Sequence, residues 1–360
     1  MAPFFEETFG NPSSIHQVGR LARSLLDDLR HQAATVLGCQ PSQVIFTSGG
    51  TESNNLAVLG AARRLRDKGR HLISSRIEHP AVLNCFEHLV RNEGFTVTFL
   101  AVDPAGIVDP ASLEKALRPD TILVSVMTAN NETGSIQPVA ELGSICQRHG
   151  VVFHTDAVQA FGKLPFHSIS QFNADLVSIC SHKFHGPKGC GALFFRSPLL
   201  LEPILFGGGH ESELRAGTEN LPAIAGFVAA LSRFVQDPVF SHAPLFELTS
   251  RLWNSLASLE GVTPRGSFLL RLPNTVSFTV SDCDSLSLLA GLDLQGICAS
   301  SGSACSVGSL SPSHVLLAMG VSPALANSFV RLSLGRNSTA DEVATVESLL
   351  PTVINQIRKS

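Results

Sequence analysis

Between residues 13 and 37, apolar side chains return at spacings of three and four: Val18, Leu21, Ala22, Leu25, Leu26, Leu29, Ala33 and Val36. That period predicts an amphipathic helix, with Ser13 or Ser14 as its N-cap and Gly38 as its stop. The pattern then alternates. Short apolar runs at 44–47, 72–75, 96–102, 122–127, 151–155, 176–180 and 192–195 predict strands. Helical spacing fills 52–66, 80–92, 111–117 and 138–148 between them. Near-continuous apolar strands separated by helices predict an α/β fold whose mostly parallel, doubly wound sheet is flanked by helices.

Past Pro238 the rhythm changes. Helical patterns at 245–259, 284–294 and 340–358 surround strand-like runs at 275–280 and 329–334. The expected division is a large unit over 13–238 and a smaller α/β unit made of 1–12 and 239–360.

Composition narrows the function classes. Of 360 residues, 44% are hydrophobic and 16% charged, which suits a well-buried globule rather than a disordered chain. Lys plus Arg number 26 against 30 Asp plus Glu, a net charge of −4, so neither nucleic acid nor an anionic membrane is an expected partner. Eight cysteines contain no CxxC pair, against a disulfide scaffold, a zinc ribbon or a thioredoxin-like site. No apolar stretch approaches membrane-spanning length, and the opening residues, with Glu6 and Glu7, lack a secretory pattern. The expectation is a cytoplasmic protein.

Four constellations could carry chemistry. Thr47-Ser48-Gly49-Gly50-Thr51-Glu52-Ser53-Asn54-Asn55 joins a strand to a helix, where glycine and free amides favour an anion. The alternative is an ordinary turn with Thr51 as N-cap. Asp156 ends the fifth strand, where ligands sit in open α/β sheets, or is a solvated strand end. Lys183, in Ser181-His182-Lys183, follows a strand expected to be buried and precedes a Gly-Pro loop. A partly desolvated lysine there suits Schiff-base chemistry. An anion cradle, a strand-end Asp and a strand-end Lys together match what pyridoxal 5′-phosphate requires. The fourth is Cys305 in a Gly/Ser-rich stretch of about 300–312, a thiol among small polar residues and so a nucleophile candidate.

These stretches carry a resemblance. With Asn11 to His16, Glu78-His79-Pro80-Ala81, Asn130 to Gly134, Gly207 to Glu211, Arg215 to Asn220 and Arg331 to Arg336, the chain resembles the cysteine desulfurases of the NifS/IscS group. These are class V aminotransferase-family enzymes of pyridoxal phosphate fold type I, and closely similar to selenocysteine lyase.

The resemblance implies a homodimeric sulfurtransferase that converts L-cysteine to L-alanine for iron–sulfur cluster or thio-cofactor assembly. Lys183 would hold the cofactor covalently and move the substrate's α-proton. His79 would stack on the ring, Asp156 would pair with its nitrogen and Gln159 with its hydroxyl. Gly50, Thr51, Ser181 and His182 would bind the phosphate, with Thr218 from a second subunit. Asn131 and Arg331 would hold the substrate carboxylate, Asn131 also touching the cofactor. Cys305 would take the sulfur as a persulfide and pass it to an acceptor protein such as an iron–sulfur scaffold. The other readings are a selenocysteine lyase, an aminotransferase of the same fold and a catalytically impaired scaffold.

Two departures stand out. Ten residues precede Asn11, where family members carry about twenty more, so the expectation is either a misplaced start or a truncated variant with a less sheltered substrate pocket. Cys180 replaces a phosphate-binding serine of many relatives, and a thiol is the weaker donor.

Overall fold

The computed structural model describes residues 1–235, 237, 238, 240, 243–302 and 312–359. A short helix α1 (Pro3–Glu6) precedes α2 (Gln17–Leu37). The N-cap of α2 is His16, not Ser13 or Ser14: its Nδ1 accepts the Gly19 N–H at 3.2 Å. The serines are used in the preceding turn, where Ser13 N–H donates to Asn11 Oδ1 and Ser14 N–H to Asn11 O. Gly38 stops α2 as expected, in the left-handed conformation that glycine tolerates.

The large sheet alternates with helices: β1 (Val44–Thr47), α3 (Gly50–Leu65), β2 (His71–Ser75), α4 (Pro80–Glu93), β3 (Thr96–Leu100), α5 (Pro110–Ala116), β4 (Thr121–Ser125), α6 (Val139–His149), β5 (Val152–Asp156), β6 (Leu176–Cys180) and β7 (Gly191–Phe195). Its spatial order is β1-β7-β6-β5-β4-β2-β3. Only β7 runs against the others. One apolar core, with Leu26, Phe153, Phe161 and Phe227, fills the sheet face under α2 and α6; another, with Leu56, Leu72 and Phe86, lies under α3 and α4. Residues 1–12 were expected with the smaller unit, but Phe4 of α1 packs against the first of these cores.

Helix α7 (Leu221–Phe234) packs on α2. Its sequence is apolar almost all round, so it offers no polar stripe to betray the helical period. Beyond it lie α8 (Ala243–Ala257), β8 (Val262–Arg265), β9 (Thr275–Val280), α9 (Ser285–Leu294), α10 (His314–Ala318), α11 (Pro323–Ala326), β10 (Val330–Ser333) and α12 (Ala340–Ile357). The antiparallel sheet β10-β9-β8 is covered by α8, α9 and α12 around Phe278, Leu288 and Leu350. The sequence showed no strand at β8 because only Val262 is buried there and Pro264 interrupts it.

Parallel strands end together. The carboxyl ends of β1, β2, β4, β5 and β6 therefore share one edge of the large sheet, where open α/β folds bind ligands.

Candidate active site

At that edge lies a cavity of about 250 Å³. Its wall at the start of α3 is backbone. Gly49 has φ 151° and ψ −175°, accessible only to glycine, and a Cβ on Gly50 would stand 2.7 Å from Val158 Cγ2 and 3.4 Å from Cys180 Cβ. The bare helix N-terminus therefore comes right up to the cavity. Gly49 is the N-cap and the helix begins at Gly50, so Thr51 is free to line the cavity instead of capping.

Asp156 closes the floor. Its Oδ2 accepts Asn54 Nδ2–H at 2.6 Å and its Oδ1 the Val158 N–H at 3.0 Å. Burial holds its pKa above the usual carboxylate range, opposed by these donors and by the charges of His79 and Lys183. Asn54 Oδ1 is buried with no partner among the described residues. His79 caps α4: Nδ1 accepts the Ala81 N–H at 3.1 Å, which leaves the ring proton on Nε2. Burial, with help from Lys183, depresses its pKa and favours this neutral form.

Cys180, His182 and Lys183 line the wall after β6. Cys180 Sγ lies 3.0 Å from His182 Nδ1; burial raises the pKa of the thiol and lowers that of the imidazole. Ser181 does not line the cavity. Its Oγ is buried against Gly186, where a Cβ would meet it at 2.0 Å, and has no partner among the described residues. The thiol thus occupies the wall where Ser181 was expected.

Across the cavity, Arg331 of β10 donates through Nη1 to the Asn131 carbonyl at 2.6 Å. Burial lowers its pKa, opposed by Glu132, and its buried Nε has no partner among the described residues. Asn130 sets that loop, accepting the N–H groups of Glu132 and Thr133 and donating to Ile77 O. Gln159 completes the lining, with Oε1 held by Lys163 Nζ.

Two expected residues stand apart. Thr218 is exposed and does not line this chain's cavity. Cys305 lies outside the described residues, but both flanks of its segment reach the cavity rim. Ser300 pairs through its backbone with Arg331, at 3.0 and 2.6 Å, and Ser313 Oγ donates to Glu132 Oε2 at 2.5 Å. Sequence reasoning missed Asn54, Met127 and Val158. Asn54 was findable, one turn after Gly50 and so on the same face of α3. Met127 and Val158 carried no signal beyond their place after strand ends. A wider depression of about 650 Å³ bounded by His185, Arg233, Phe234 and Arg336 lacks such a convergence of nucleophile, carboxylate and lysine.

Residues 1–346 match the family model described as aminotransferase class-V. A protein of Methanosarcina thermophila named cysteine desulfurase IscS is 44% identical over 99% of this chain and 88% of its own length. A solved structure titled NIFS-LIKE PROTEIN superposes with TM-score 0.90 at 35% identity, covering 99% of this chain and 94% of that one. Another, titled SspA in complex with cysteine, gives TM-score 0.81 at 34% identity over 94% of each chain.

Proposed function

The chain belongs to the aminotransferase class-V family, and on that premise we propose that it is a cysteine desulfurase, converting L-cysteine to L-alanine and taking the sulfur as a persulfide on Cys305. One observation carries the reading: Lys183, Asp156 and His79 converge on a single cavity into which Arg331 reaches from the other sheet.

The residues present fit pyridoxal 5′-phosphate. The bare N-terminus of α3 at Gly50 and Thr51, beside His182, suits a phosphate. Cys180, in the wall where Ser181 was expected, joins that cradle. Asp156, fixed by two donors, suits a protonated ring nitrogen, and the unpartnered Asn54 Oδ1 marks a polar occupant. When bound, the cofactor supplies an electron sink for charge developing at the substrate's Cα.

The chain's own residues do the rest. Lys183 would hold the cofactor, and its amine would carry the proton away from the substrate's Cα. Arg331, through its spare Nε, and Asn131 hold the substrate carboxylate. The Cys305 thiolate bonds to the substrate sulfur as the substrate's Cβ–S bond breaks. Protonation at Cβ yields the methyl group of alanine, so cysteine plus thiol becomes alanine plus persulfide. Ser300 is pinned at the rim, and five residues span at most about 17 Å, so Cys305 is within reach of the cavity. The persulfide would pass to an acceptor protein such as an iron–sulfur scaffold, and Thr218 would complete the site of a second copy in a homodimer.

The test is product release from L-cysteine with added cofactor and a thiol reductant, for the parent and Cys305→Ser. Equimolar alanine and sulfide from the parent, both lost in the variant, are expected. Alanine without sulfide dependence on Cys305 would overturn the persulfide step, and turnover restricted to selenocysteine would make the chain a lyase.

A further inference from the structure

Lys163 is a lysine in an unusual place. It is only 6% exposed, in the run of turns that follows β5, and no carboxylate pairs with it among the described residues. That turn is fixed from beneath. Gly162 has φ 72°, and a Cβ there would come within 2.6 Å of Phe184 Cβ, while Phe161 is buried among Phe166, Phe172 and Phe184. The amine is enclosed there. It lies 5.8 Å from the centre of the Phe240 ring and donates a hydrogen bond to Gln159 Oε1.

The chemistry of that contact decides which way the amide of Gln159 faces. A protonated lysine offers donors only, whereas an amide has one acceptor end and one donor end. The acceptor end is engaged by Lys163. Gln159 also lines the cavity, so the donor end, Nε2, is the part left for an occupant, and it has no partner among the described residues.

We propose that Lys163 is a positioning residue for the cofactor: it locks Gln159 so that the cavity presents an N–H donor, and so selects the anionic form of the cofactor's ring oxygen. This rests on the pyridoxal phosphate reading above. A glutamine free to flip would offer either end and would accept a hydroxyl proton as readily as it donates to an oxyanion. The lock removes that choice. When protonated, Lys163 also places a cation behind the amide, polarising the N–H that faces the oxygen. Burial, helped by the charges of Lys183 and Arg331 in the cavity wall, pulls the Lys163 pKa down to about 7, so the lock is strongest below neutral pH, where the ammonium is fully formed.

The experiment is a double-mutant cycle on the purified apo-protein reloaded with pyridoxal 5′-phosphate, using Lys163→Met, Gln159→Leu and the pair. Two quantities are read: the cofactor Kd and the pH midpoint of the visible absorption band. Each single variant is expected to weaken binding about tenfold, the size of one hydrogen bond to a charged group, and to move the midpoint to higher pH. The double variant is expected to be no worse than the weaker single. Lys163→Arg, which keeps a buried donor, should restore much of the midpoint. Gln159→Glu keeps a partner for Lys163 but puts a carboxylate in place of the donor, and should weaken binding and raise the midpoint at least as much as Gln159→Leu, which guards against a Lys163→Met protein that does not fold. Effects that multiply in the double variant, or a Lys163→Met protein with parental Kd and midpoint, would overturn the proposal. A parent that binds no pyridoxal phosphate would remove the cofactor reading itself, and this inference with it.

Discussion

Arg331 shows how a residue can be both structural and chemical. Its Nη1 fixes the Asn131 carbonyl, joining the small sheet to the cavity, while its Nε is buried and unused among the described residues. A buried guanidinium with a spare donor needs an acceptor, and a carboxylate supplies one with complementary charge. Replacing it with lysine keeps the charge but loses the planar fork. Arg331→Lys is therefore expected to raise KM for L-cysteine roughly tenfold or more, by the loss of a charged hydrogen bond worth about 1.5–3 kcal/mol, while the cofactor's visible spectrum stays parental. Steady-state kinetics beside an absorption spectrum separate the two. On the pyridoxal phosphate reading, Asn54 acts in the opposite direction, toward the cofactor. Asn54→Ala removes the donor that holds Asp156 Oδ2, so cofactor Kd is expected to rise several-fold with KM for cysteine nearly unchanged, read by titrating the apo-protein with pyridoxal phosphate. The other cysteines contrast with these. Burial pushes the thiols of Cys85, Cys146 and Cys190 up to about 12, which suits packing residues rather than nucleophiles.

At the scale of elements, two buried titratable groups tie the central strands together with opposite pH signs. His154 bridges three strands: Nδ1 lies 2.8 Å from Ser125 Oγ on β4 and Nε2 3.0 Å from Ser178 Oγ on β6. Burial lowers its pKa to about 3 from an ordinary 6.5, so between these values the unfolded chain binds a proton that the folded chain refuses. Its contribution to stability is present above pH 6.5 and is lost as pH falls toward 3. Glu78, after β2, accepts from Ser75 Oγ at 2.6 Å and from the Met127 N–H at 3.0 Å, and burial raises its pKa to about 8. Here the folded chain holds the extra proton, so stability falls as pH rises from about 4.5 to 8. Thermal unfolding against pH is expected to lose the acid limb in His154→Gln and the neutral limb in Glu78→Gln. Neither effect was visible in the sequence, where His154 sits in a strand-like run and Glu78 counts only as part of the Glu78-His79-Pro80-Ala81 motif. What the sequence does reveal follows period and turn chemistry. The helix over 13–37, the buried strands β1 and β6 and the stop at Gly38 were legible because alternation and glycine carry them. Helix α7 was not, since an apolar surface on all sides has no period. A cavity residue such as Asn54 owes its role to a strand distant in sequence, where it meets Asp156, and spacing along the chain does not report that.

At the scale of the whole molecule, Thr218 is an expected member that the cavity of one chain does not include. Thr218 is exposed, yet the segment carrying it is tightly anchored. Glu211 is ion-paired with Arg30 at 2.5 Å and accepts the Phe46 N–H at 2.8 Å, and Arg215 pairs with Glu52 in the first turn of α3. Glu211, Ser212 and Glu213 all adopt positive φ, a costly run that this anchoring sustains. Thr218 thus sits on a well-anchored segment without lining its own chain's cavity. If Thr218 completes the phosphate site of a second subunit, two defective variants should repair each other. In a mixed dimer of Lys183→Ala with Thr218→Ala, one site inherits both defects and the other inherits neither. Random exchange of equal amounts puts half the chains in mixed dimers, so activity is expected to recover to about one quarter of the parental value. Thr218 acting within its own chain would leave every site with one defect and no recovery at any mixing ratio. Desulfurase assays on separately purified variants, denatured together and refolded with cofactor, distinguish the two arrangements.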